Sequence, residues 1–161
     1  MTQPPDELFD QLLDRVLEIA MDATGIQSGT KHLWELPGNG PFPRVIVYIQ
    51  RNVVGTSPDY IKYDVTVGIR LIGGPIGAGY VGAAEDALYV AMGALFNRFN
   101  RNLALESPAD GEQFRYITGD PPSQFTQTGG NTSFMSGNPA APERHSGMDF
   151  QLEVSLRVPR R

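Results

Sequence analysis

Three glycines and one carboxylate carry the most recognisable chemistry in this chain. Gly77-Ala-Gly79-Tyr-Val-Gly82 spells G-x-G-x-x-G, and Glu106 lies downstream after Leu103-Ala-Leu105. In a dinucleotide site that pattern works through a tight strand-to-helix turn. The glycine backbone approaches a pyrophosphate at a helix N-terminus, and an acid on the next strand takes the ribose. On that reading Gly77, Gly79, Gly82 and Glu106 would hold a nucleotide. The flanking sequence argues otherwise. A Rossmann first strand is buried on both faces and nearly all apolar. Here the preceding segment carries Asp64, Thr66 and Arg70 at alternate positions. The gap from Ile72 to Gly77 is too long for a fingerprint that begins where its strand ends. Leu103 to Leu105 makes a poor second strand, and little chain remains for further βα units. With eighteen glycines present, a chance match is unremarkable.

The other reactive side chains are sparse. His32 and His145 are the only histidines, the first near Glu35 and the second near Glu143, Ser146 and Asp149. A nucleophilic triad is defined by geometry rather than by local sequence. His145 falls in a polar stretch expected to be a loop, where both positioning and burial are unfavourable. Glu85 and Asp86 are adjacent on an expected helix and so point in different directions. No cysteine is present, which removes disulfides, thiolate catalysis and Cys-based metal sites. No metal-ligand spacing such as H-x-x-x-H appears. The residues thus favour a non-enzymatic protein with no cofactor and no metal.

The elements that would position these groups are legible from periodicity. From Asp6 to Ala23, Leu8, Phe9, Leu12, Leu13, Val16, Leu17 and Ala20 recur at steps of three and four, the stripe of an amphipathic helix. Thr24-Gly25 offers a stop. Residues 26–43 read as a loop dense in Pro and Gly, in which Trp34 and Phe42 are placed to pack locally. Arg44 to Ile49 reads as a short interior strand, followed by a turn from Asn52 to Pro58. Tyr63, Val65, Val67, Ile69 and Leu71 then alternate with Asp64, Thr66, Gly68 and Arg70, the period of a strand with one buried face. Phe150, Leu152, Val154, Leu156 and Val158 repeat the pattern against Gln151, Glu153, Ser155 and Arg157. The two strands suit neighbouring places in an antiparallel or mixed sheet. A second helix is expected over Val81 to Asn100, striped by Val81, Ala84, Leu88, Ala91, Met92, Leu95 and Phe99. A separate strip of small residues on it (Gly82, Ala83, Ala87 and Ala94) would admit another backbone.

After Pro108 the pattern weakens. Phe114 to Ile117 reads as a short strand, and 119–147 as an extended Gly/Pro-rich loop or hairpin arm inserted before the C-terminal strand. Loops of that length are uncommon inside compact domains and tend to be functional. The arm holds Phe125, Phe134 and Met135, apolar residues suited either to docking on a partner or to packing back on their own domain. On this view, removing 121–145 leaves the fold intact and abolishes assembly. The whole chain, 1–161, is expected to be one α+β domain. It is an α/β sandwich in which a sheet of about four strands is packed by two helices.

Composition bounds the partners. The chain is 40% hydrophobic and 19% charged with a net charge of −5. That balance supplies neither general phosphate-backbone affinity nor attraction to anionic lipid. The final Arg157-Val-Pro-Arg-Arg161 reads as a solvated tail. Apolar runs are too short to span a bilayer as helices. Met1 to Glu7 lacks a basic segment and an apolar core, so a secretory leader is not expected.

Element order and four segments together resemble the tail terminator (tail completion) proteins of tailed bacteriophages, and more loosely neck and minor tail proteins. The segments are Pro43-Arg-Val-Ile-Val-Tyr48 and Tyr60-Ile-Lys-Tyr-Asp-Val-Thr-Val-Gly-Ile-Arg-Leu-Ile-Gly-Gly74. They continue with Ala87-Leu-Tyr-Val-Ala-Met-Gly-Ala-Leu-Phe-Asn-Arg98 and Phe150-Gln-Leu-Glu-Val-Ser-Leu-Arg157. The likeness spans most of the chain and is architectural. It implies a subunit of a hexameric ring that caps the tail tube, ends its polymerisation and meets the head connector. No cofactor and no catalytic residue come with it. The implied partners are the subunit's own copies, the tube protein and a connector or neck protein. Genomic DNA would pass through the ring without being read. The location implied is the virion tail or neck, reached from the host cytoplasm. Under this resemblance Asp64, Thr66, Arg70, Glu153 and Arg157, with Phe125, Phe134 and Met135 of the arm, would contact neighbours or the tube.

Overall fold

A computed structural model describes residues 7–33, 40–76, 81–130, 132–135 and 144–160. The element order is α1 (Leu8–Met21), β1 (Ser28–Thr30), β2 (Arg44–Thr56), β3 (Tyr60–Pro75), α2 (Val81–Asn100), β4 (Ser123–Gln127), β5 (Thr132–Met135) and β6 (Arg144–Pro159). The strands make one six-stranded mixed sheet in the order β1-β2-β3-β6-β4, with β5 also paired to β6. The fold is α+β, as the periodicities predict.

Helix α1 forms because Leu8, Leu12, Val16, Ile19 and Ala20 fall on one face and are all buried. It ends at Met21, and the turn that leads away is made by Gly25 at φ +92°, a left-handed backbone that a side chain would strain. Helix α2 buries Leu88, Ala91, Leu95 and Phe99 by the same spacing. Both helices lie on one side of the sheet. Beneath them Val65, Val67, Ile69 and Leu71 of β3 join Phe150, Leu152, Val154 and Leu156 of β6 in a single core.

The expected neighbours β3 and β6 are neighbours. They pair antiparallel from Tyr60 opposite Pro159 to Pro75 opposite His145. Strand β2 is much longer than the sequence pattern implies. It passes a bulge between Ile49 and Arg51 and continues against β3 until Thr56 faces Ile61. The expected turn over Asn52 to Pro58 is therefore strand through Thr56. The β-branched pair Val53-Val54 suits that conformation. The actual turn is closed by the Ser57 N–H donating to the Tyr60 carbonyl at 2.9 Å. Within the expected loop 26–43, β1 runs parallel to Arg44–Ile46. Trp34 lies outside the described residues.

Phe114 to Ile117 is not a strand. Ile117 makes one isolated bridge to Leu156, and Tyr116 has φ 70°. Phe114 is pulled into the core, 5% exposed, and its N–H reaches the Ala104 carbonyl at 3.1 Å. Arg15 braces the same segment, donating to the carbonyls of Leu105 at 2.7 Å and Glu112 at 2.8 Å.

The expected arm begins as sheet. Strand β4 pairs with β6 from Ser123 opposite Val154 to Gln127 opposite Phe150. Strand β5 pairs with β6 from Thr132 opposite Gly147 to Met135 opposite Arg144. Residues 136–143 lie outside the described residues.

Candidate functional site

The face of the sheet turned away from the helices gathers most of the polar residues singled out above. Alternation brings them there in cross-strand rows: Lys62 with Arg157, Asp64 with Ser155, Thr66 with Glu153, and Arg70 with Asp149. Strand β2 adds Val53 beside Asp64, Arg51 beside Thr66 and Tyr48 beside Gly68. Strand β4 adds Gln124 beside Glu153 and Thr126 beside Gln151. Among the described residues no helix covers this face.

Its charges are interspersed and locally paired. Arg70 Nε meets Asp149 Oδ1 at 3.0 Å, with both side chains 30% exposed. Asp64 accepts from Ser155 Oγ at 3.2 Å and lies 3.7 Å from Lys62 Nζ. The Arg157 guanidinium stacks over the Tyr60 ring at 4.2 Å. The Tyr48 ring lies against Gly68, so close that a Cβ at residue 68 would overlap it. Burial pushes the Tyr48 phenol above its ordinary value. Arg70 opposes that rise and Asp149 adds to it.

A shallow groove of about 410 Å³ crosses the face. Arg51 and Val53 form one wall, Pro121 and Gln124 the other, and Asp64, Thr66 and Glu153 lie along it. The structure thus brings Asp64, Thr66 and Glu153 together. Arg70 and Arg157 stand on the same face, towards its opposite ends. Toward the Arg44 end the face closes over: Ile46 is 2% exposed, Ile72 0% and Arg44 8%. There Phe42 packs on His145 with ring centroids 5.1 Å apart.

Several expectations are corrected. Phe125 is 6% exposed and cannot dock on a partner from this fold. Its ring is stacked between Phe99 at 4.9 Å and Phe150 at 5.2 Å, because β4 places residue 125 on the helix side of the sheet. Phe134 and Met135 belong to β5, opposite His145 and Arg144. Removing 121–145 would delete β4, β5 and a core phenylalanine, so it is not a neutral truncation. His145 is not a loop residue but a fully buried one in β6.

The glycine fingerprint loses its context. Gly77 and Gly79 lie outside the described residues. Gly82 is the second residue of α2, and Glu106 follows the other end of that twenty-residue helix, so the two are separated by about 30 Å along it. Strand β3, which precedes the glycines, runs antiparallel to both neighbours. A nucleotide fold needs a parallel βαβ unit at that place.

Glu106 instead borders a larger groove of about 710 Å³ between the ends of α1 and α2. Tyr89 and Val90 are exposed there, 45% and 57%, and Arg98 Nη1 bridges to Asp22 Oδ2 at 3.2 Å. Tyr48, Arg51, Gln124 and Asp149 are among the residues of the polar face that sequence reasoning missed. The Val53-Val54 pair was the one signal that β2 runs on past Ile49.

No protein-family model matches the chain, and no curated protein matches it in sequence. Among the described residues no helix is long and apolar enough to cross a membrane.

Proposed function

We propose that this chain is a structural assembly subunit, a ring-forming tail terminator of a tailed bacteriophage. In that role it caps the finished tail tube, stops its polymerisation and presents a surface to the head connector. The observation that carries the reading is the one-sided sheet. Helices fill one face, and the other is a broad, polar, mixed-charge surface rather than an enclosed cavity. Such a surface suits interaction with protein more than turnover of a small molecule. Interspersed charges favour orientation and partner selection. The resemblance in element order supplies the particular assembly. On this reading the protein joins the virion at the neck after synthesis in the host cytoplasm, and DNA passes through the ring opening.

The test is tube capping. Purified protein is added to polymerising tail-tube subunits of the same phage, and tube lengths are measured by electron microscopy. Capped tubes of arrested length, with density at one end, are the expected result. Tubes that elongate unchanged with bare ends would refute the proposal. Binding to the connector but not to the tube would move the protein to another layer of the neck. The nucleotide alternative makes a separate claim: calorimetry with millimolar NAD or ATP would then show saturable heat, and we expect none.

A further inference from the structure

We infer that the ring closes by sheet extension: the free edge of β2 in one copy pairs antiparallel with β4 of the next. This rests on the ring reading above and names its seam.

The edge of β2 is open where it matters. Strand β1 covers only Arg44–Ile46, and from Val47 to Thr56 no described strand pairs with that side of β2. A strand edge of this kind is a template for another strand unless it is blunted by charge, proline or a bulge. One bulge, at Gln50, is present. The edge from Val47 to Asn52 carries one charge, Arg51, and no proline, while Asn52-Val53-Val54-Gly55-Thr56 carries neither, with Val53 and Val54 46% and 51% exposed. On the opposite side of the sheet, β4 makes backbone pairings to β6 and to no other described strand.

Topology makes these two edges fit each other. Across β2, β3, β6 and β4 every neighbouring pair is antiparallel. The first and last strands of that run therefore point in opposite directions. A copy rotated about an axis along the strands brings its β4 antiparallel to β2, the geometry of a ladder, and the rotation closes a heterologous ring.

Height and facing agree as well. Following the rows across the sheet, Ser123 stands level with Asn52 and Gln127 with Val47. That is the stretch of β2 that β1 leaves free. Facing also matches, because Phe125 is level with Ile49 on the helix side, while Gln124 is level with Arg51 and Thr126 with Tyr48 on the polar side. No like charges meet, the arrangement cross-strand pairing requires. Strand tilt in a closed ring adds stagger, and a shift of two residues preserves the facing. The polar face would then line one surface of the ring and the helices the other.

The absence of cysteine allows a clean test. Two double variants are made, R51C/Q124C and V53C/Q124C, the second allowing for a stagger of two. Within one copy these positions are separated by β3 and β6, about 14 Å at the usual strand spacing. That exceeds the roughly 7 Å Cα limit for a disulfide, so a bond can form only between copies. Mild oxidation and non-reducing electrophoresis are read beside native mass spectrometry of the unmodified chain. The expected result is a discrete oligomer and, for at least one double variant, a ladder ending at that oligomer's size. The single variants should stop at dimers. Q124R, which sets like charges across the seam, should weaken self-association several-fold, and R51E should restore it.

An oligomer without a ladder, unaffected by Q124R, overturns the seam and leaves the ring reading standing. A ladder with no end point keeps the seam and overturns closure. A chain that stays monomeric at millimolar concentration and in the presence of tube ends, with no ladder, overturns both.

Discussion

The two faces of one sheet are built from the same strands with the same alternation, yet they have opposite fates. On the helix side, Val67, Ile69, Phe150 and Leu152 are 0–1% exposed under α1 and α2. The row containing Phe125 is closed by a stack of aromatic rings, with Phe96 set edge-on to Phe125 at 5.3 Å. On the other side, Thr66, Glu153, Arg51 and Gln124 form an equivalent row with nothing above it among the described residues. Burial makes the first face intolerant of change. Solvent makes the second nearly neutral for stability and so free to carry recognition.

The largest expected effect tests that contrast directly. Phe125→Ala removes the middle ring of the stack and should cost about 3–5 kcal/mol, as phenylalanine truncation in a packed core does. Denaturant unfolding measures it. Glu153→Arg, one residue along from Phe125's partner Leu152 on the neighbouring strand but on the open face, should change stability by less than about 0.5 kcal/mol while impairing the proposed tube capping. Equal losses in unfolding for the two variants would dissolve the comparison.

Gly68→Leu probes the boundary between the two behaviours. A side chain there would strike the Tyr48 ring, so this open-face change should cost about 1–3 kcal/mol, like overpacking in a core. Tyr48→Ala should recover much of that loss in a double-mutant cycle, because the two residues are in contact. Additive losses would show that the ring does not rest on the glycine.

Smaller again is the ion pair of Arg70 and Asp149. Both groups are partly exposed, and a double-mutant cycle to Ala should return about 0.2–1 kcal/mol, shrinking as salt is added. The smallest effect concerns pH. Folding raises the Tyr48 phenol above its ordinary value of 10.0, chiefly through burial. The folded protein then holds this proton more tightly than the unfolded chain. The stability it contributes is present below pH 10 and lost as pH rises through the folded value. Tyr48→Phe should flatten the alkaline fall in stability, and spectrophotometric titration should show one tyrosine fewer ionising late.

Much of this architecture was legible in the sequence. Helix α1 ends within two residues of its expected end, α2 spans Val81–Asn100 as expected, and β3 and β6 show their alternation plainly. Those signals are local: a helix or a half-buried strand imposes its period on the residues that build it. Asp64, Thr66 and Glu153 were legible as a polar face for the same reason. The length of β2 was not, because Arg51–Thr56 is exposed on both faces and so has no hydrophobic period to betray it.

The destinies of Phe125 and His145 were decided by tertiary structure alone. Polar, Gly/Pro-rich neighbours make their segments read as loop, and only pairing with a partner strand supplies the ladder that turns them into sheet. The direction of β3, antiparallel to both neighbours, adds to the sequence argument against a nucleotide fingerprint at 77–82. Sequence by itself determined which residues of α1, α2, β3 and β6 face the core and which face water. Register and strand order, set by pairings between distant segments, decided which of those residues stand side by side, and which edges of the sheet remain open.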